Sequence, residues 1–125
     1  MWAETEPLDP GVFGSLVELG ADTPGFLAEI VEEFRLSTGR HVAAMRDAVR
    51  EGDAEALRFA AHSLRGSSGT IGARGMAMLA ASLEHAPAAS RETGWPLIQR
   101  LEAEYEAVRR ALDGFLPATA AASMS

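Results

Sequence analysis

Apolar residues return every third or fourth position along most of the chain, and no stretch alternates one-in-two. That period marks amphipathic α-helices turning one face to a core. The cleanest run is Ile98, Leu101, Tyr105, Val108, Leu112 and Phe115, whose spacings alternate between three and four. Asp9-Pro10 pairs a capping side chain with a first-turn proline and opens a short helix to about Leu19, with apolar positions at Val12, Phe13, Leu16 and Leu19. Thr23-Pro24 repeats the signal ahead of a long helix reaching about Arg50. Its stripe runs through Leu27, Ile30, Phe34, His41, Met45 and Ala48 or Val49, filled in by Val31 and Thr38.

Gly52-Asp53 supplies a stop and a new cap. The third long segment buries Leu57, Ala60, Ala61, Leu64, Ser67 or Ser68, and Ile71, and Gly72 terminates it. A fourth helix follows from about Arg74 to His85, with Met76, Leu79, Ala80 and Leu83 inward. Pro87 to Gly94 is the one loop of any length, and Pro117 ends the last helix. Four main helices with short connections predict an all-α fold: an antiparallel up-down four-helix bundle, with the short N-terminal helix packed across one end. Residues 8–116 make up this bundle, 1–7 an N-terminal extension, and 117–125 a small, alanine-rich tail expected to be disordered.

Composition narrows the class. In 125 residues, 47% are hydrophobic, enough for one core without staples. There is no cysteine, so disulfides, thiolate metal sites and cysteine nucleophiles are out, and no apolar run approaches the ~20 residues of a membrane span. The acidic start, Met1-Trp2-Ala3-Glu4-Thr5-Glu6, is unlike a secretory signal, and a cytoplasmic, free-standing protein is expected. The net charge of −7 repels nucleic-acid backbones, and 6% aromatics offers no stacking platform for bases.

The chemistry concentrates in residues 61–73, Ala-His-Ser-Leu-Arg-Gly-Ser-Ser-Gly-Thr-Ile-Gly-Ala. At about 100° per residue, Leu64 lies about 200° from His62, while Glu55, Arg58, Phe59, Arg65, Gly66 and Gly69 fall within about 60° of it. His62 therefore faces out. Each glycine costs a helix roughly 1 kcal/mol relative to alanine, so a bare surface beside the imidazole answers a need other than helix stability. An exposed imidazole is a nucleophile, and guanidinium groups one turn away suit a phosphoryl electrophile. Gly66 could equally serve close helix packing.

The stretch His62-Ser63-Leu64-Arg65-Gly66-Ser67-Ser68, followed by Ile71-Gly72-Ala73, resembles the signature of histidine-containing phosphotransfer (HPt) domains. Leu8-Asp9, Phe26-Leu27, Phe34, Gly52-Asp53 and Leu83-Glu84 extend the resemblance over roughly residues 8–116. It implies that His62 accepts and donates a phosphoryl group on Nε2. It implies that Arg65, where most members have lysine, stabilises the phosphate with a forked rather than a point charge. Arg58, Phe59, Gly66 and Gly69 would form the docking surface, and Ser67 or Ser68 would support the helix or contact the partner. Glu84 matches a position where some members hold the ring's Nδ1.

The implied partners are receiver domains of response regulators and a hybrid sensor histidine kinase. The receiver would bring the Mg²⁺; this chain would bind no cofactor of its own. Without a G-x-x-x-x-G-K-[ST] cradle no ATP-dependent kinase activity is expected of this monomeric carrier. The alternative is a non-phosphorylated docking scaffold or inhibitor, which has no use for a histidine paired with a nearby cation. His41 is expected as a core or boundary histidine and His85 as a helix-end residue. With no i, i+4 pair among the three histidines, no metal site is expected. The carboxylates at Glu32-Glu33, Glu102, Glu104 and Glu106 read as solvated faces.

Overall fold

The computed structural model describes residues 6–86 and 91–115. The proposed tail at 117–125 and the Trp2 segment lie outside the described residues. Five helices follow one another: α1 Pro10–Leu19, α2 Phe26–Glu51, α3 Ala54–Ile71, α4 Arg74–Glu84 and α5 Arg91–Phe115. Two residues join α2 to α3 and two join α3 to α4, so these neighbours run antiparallel. Around the bundle α2 packs on α3, α3 on α4, α4 on α5 and α5 on α2, while α1 lies against α3.

The ends are set by local chemistry. The Asp9 carboxylate accepts from the backbone N–H of Gly11 and Val12, at 2.9 and 3.4 Å, and Pro10 takes the first turn of α1. Asp53 caps α3 by accepting from Ala56 N–H at 3.0 Å. Such a cap contributes about 1 kcal/mol. Gly72 closes α3 with a left-handed φ of 86°, which turns the chain directly into α4. The Asp9 N–H donates to the Gly72 carbonyl at 2.8 Å, fastening the root of α1 to that corner.

Buried Met45, Leu57, Leu64, Met76, Leu101 and Leu112 come from all four long helices and form one contiguous core. Burying a side chain of this size contributes roughly 1.5–3 kcal/mol. Tyr105 sits half-buried with its ring 6.2 Å from that of Phe34.

Four sequence expectations need correction. Thr23-Pro24 does not cap α2: Gly25, at a φ of 84°, is the capping residue and makes no side-chain hydrogen bond there. Thr23 and Pro24 instead form a turn in which the Phe26 N–H donates to the Thr23 carbonyl. The loop placed at 87–94 is shorter, because α5 starts at Arg91 and carries Gly94, Trp95 and Pro96 in its first turns. A glycine stands there because α2 passes close by: a Cβ on Gly94 would lie 2.7 Å from Val49 Cγ2. Leu19 is 72% exposed, leaving Phe13 as the buried anchor of α1. Glu102 is no idle surface carboxylate, since both its oxygens accept from Arg46 Nη2 at 2.7 and 2.8 Å. The Arg46 guanidinium also stands 5.8 Å from the Trp95 ring centroid, tying α2 to α5.

Candidate functional site

Leu64, buried completely, fixes the rotation of α3, and His62 consequently projects from the bundle with its side chain 65% exposed. Beside it, on α4, Leu83 points inward and Glu84 sits at the seam between the two helices. The His62 Nδ1 lies 3.1 Å from Oε1 and 3.2 Å from Oε2 of Glu84. A carboxylate only accepts, so Nδ1 carries the proton in this contact. In the neutral ring the lone pair is then on Nε2.

Glu84 is shared. Arg65 Nη1 approaches its Oε2 at 3.4 Å, so one carboxylate, only 10% exposed, holds both the imidazole and the guanidinium. The hydrogen bond from His62 holds the Glu84 carboxyl below its ordinary range. Burial works against that, and the charges of Arg65, His62 and His85 add to it.

Around the ring the surface is bare. A Cβ on Gly66 or Gly69 would meet nothing within 4 Å, so neither glycine serves close helix packing. Arg58 and Phe59 are exposed on the same face, Phe59 to 75%. The two serines divide: Ser67 Oγ donates to the Leu64 carbonyl at 3.2 Å, while Ser68 is buried in the core face with no partner for its hydroxyl.

The other histidines stand elsewhere. His41 is half-buried on α2, with Nδ1 3.2 Å from Ser37 Oγ. Burial, and secondarily Arg40, lowers its pKa. His85 is the exposed residue ending α4. Among the described residues no three His, Cys, Asp or Glu side chains are grouped to hold a metal, and no helix is long and apolar enough to cross a membrane. The Arg65–Glu84 ion pair was missed from sequence; its only signal there was a carboxylate on the helix following the histidine motif.

A helical bundle presenting an exposed, carboxylate-oriented histidine beside a cation and a glycine strip belongs with histidine-bearing transfer domains. The family model of the Hpt domain matches residues 29–111. The chain belongs to the Hpt domain family, the histidine-phosphotransfer domains of phosphorelays. Among solved structures it is similar to histidine-containing phosphotransfer protein B from Pseudomonas aeruginosa PAO1, with a TM-score of 0.76 and 30% identity over 89% of this chain and 95% of that one. It also shares the fold of the histidine-containing phosphotransfer protein MtHPt2 from Medicago truncatula, with a TM-score of 0.73, 22% identity, and 88% and 77% of the two chains covered. No significant relative is found among curated proteins.

Proposed function

We propose that this chain is a phosphorelay intermediate phosphorylated at Nε2 of His62 by a receiver-domain aspartyl phosphate, and that it passes the group to a second receiver. The observation that carries the reading is the Glu84 contact: Nδ1 is engaged and Nε2 is left for chemistry on a well-exposed ring.

The electron balance is simple. The Nε2 lone pair forms the N–P bond while the P–O bond to the aspartate breaks, and the carboxylate leaves with that electron pair. No proton has to leave Nε2, because the ring's proton is already on Nδ1. As Nε2 shares its lone pair the ring becomes cationic, and the Glu84 carboxylate lies against the Nδ1–H where that charge appears. Arg65, within reach of the same carboxylate, supplies the cation beside the new phosphoryl oxygens. The receiver brings the Mg²⁺ that neutralises the moving group. A hybrid sensor kinase supplies the first phosphoryl group. This chain acts as a carrier rather than a kinase, as a monomer in the cytosol; the lack of cysteine suits that compartment.

The test is transfer from a phosphorylated receiver. The adduct should be acid-labile and base-stable, and His62→Gln should abolish it while the helical spectrum and melting stay unchanged. Label persisting in the folded His62→Gln protein would sink the assignment.

A further inference from the structure

An apolar groove of about 670 Å³ runs between α1 and the last turns of α5, walled by Leu8, Phe13, Val17, Ala111 and Phe115. Two rings already meet on its wall: Phe13 is buried, and Phe115, 56% exposed, stands 4.7 Å from it between centroids. Gly14 opens the floor, since a Cβ there would meet nothing within 4 Å. A glycine inside a helix that packing does not require leaves space for a side chain from elsewhere. Gly14 lies about 200° around α1 from Val12, the residue that packs at the Gly72 corner, so the groove opens away from that corner. The exposed Glu18 carboxylate lines one edge and has no hydrogen-bond or ion-pair partner among the described residues.

We propose that this groove is the seat of the Trp2 indole, which clasps the N-terminal segment across α1 onto α5. The chain itself leads there: Glu6, Pro7 and Leu8 all line the groove, and Trp2 lies four residues before Glu6, within about 13 Å of extended chain. The stretch of α1 from Pro10 to Val17 that faces the groove is about 10 Å long, so the ring can reach along it. Buried Leu8 and the fixed φ of Pro7 already hold the chain at the mouth, so few further residues have to be ordered. The chemistry selects this side chain. An indole is a large apolar body with one N–H that finds an acceptor when buried, and the groove offers two phenyl rings and an unpartnered carboxylate. Residues 116–125, which continue from Phe115, carry Leu116, Pro117 and Met124 among small residues and no aromatic ring. The seat gives α1, whose buried anchor is Phe13, a second hold on the bundle.

The test uses the full chain carrying Trp95→Phe, which leaves Trp2 as the only indole. Its emission should be blue-shifted from that of the urea-unfolded protein, and acrylamide should quench it several-fold less. Gly14→Leu fills the groove while improving the helix, so it should return both readings towards the unfolded values with the helical spectrum retained. Glu18→Ala changes an exposed residue and should shift the indole N–H resonance of Trp2. An indole as accessible in the folded chain as in urea overturns the proposal, whatever then fills the groove. A shielded indole that neither variant moves overturns it too, because the ring then sits elsewhere. Shielding that fades on dilution would place the ring on a second copy of the chain and overturn the intramolecular seat. None of these readings depends on phosphotransfer at His62.

Discussion

Twenty-two residues separate His62 from Glu84, yet Nδ1 of the one stands 3.1 Å from Oε1 of the other across the α3–α4 seam. The pairing gives the imidazole one orientation and one tautomer, and it draws on a carboxylate that also engages Arg65. The setting of the His62 ring is thus fixed jointly by α3 and α4.

Glu84→Gln keeps an oxygen to accept from Nδ1 but removes the charge facing a ring that becomes cationic. Transfer to His62 should slow about tenfold, the equivalent of roughly one pKa unit of lost interaction. Nitrogen NMR of the imidazole should show the Nδ1–H tautomer losing population. An unchanged rate together with an unchanged tautomer would show that Glu84 does not position the ring.

Arg65→Ala removes a half-exposed guanidinium whose ion pair spans 3.4 Å, so its effect on stability should stay within roughly 1 kcal/mol. The effect on phosphotransfer should be larger, roughly tenfold or more, if the guanidinium steadies the phosphohistidine as proposed. Arg65→Lys should recover part of the rate, having the charge without the fork. A thermal melt and a transfer time course on the three proteins separate these outcomes.

Gly66→Ala should raise stability by roughly 1 kcal/mol, because alanine is the better helix former and the added Cβ meets nothing within 4 Å. Denaturant titration checks the gain. The same substitution should weaken receiver docking, whereas a glycine retained for packing would lose stability on replacement.

His41 makes acid sensitivity separable from chemistry. Its folded pKa lies below the unfolded value of about 6.5, so between those two values the unfolded chain binds the proton and the folded chain does not. Stability should therefore fall as pH drops from 6.5 towards the folded pKa, then lose no more from this group. His41→Gln, which keeps a partner for Ser37, should show a smaller difference in urea midpoint between pH 7.5 and 5.5 than wild type. Equal differences in the two proteins would remove His41 from the account.

Much of this was legible in the sequence. Period and caps located α1 and α3, and the helical wheel of α3 alone put His62, Gly66 and Gly69 on one exposed face. What escaped depends on neighbours far along the chain. Gly94 and Pro96 look like helix breakers until the approach of Val49 explains the glycine, and Pro96 is tolerated on the exposed side of the second turn of α5. Arg46 meets Glu102 across 56 residues, a distance no local pattern encodes. At Gly25 the backbone conformation, rather than a capping side chain, starts the helix, and that left Thr23-Pro24 a misleading signal.

The corner at Gly72, pinned by Asp9, has one more consequence. His62 lies ten residues before it and Glu84 twelve after, so the turn meters how the two helices are phased. One residue inserted into α4 between the corner and Glu84 would swing that carboxylate about 100° and advance it 1.5 Å. Exposed side chains along this stretch away from the site can change with modest effect, whereas a single insertion or deletion would separate the pair outright. Beyond its buried side chains, length is what the segment between His62 and Glu84 has to keep.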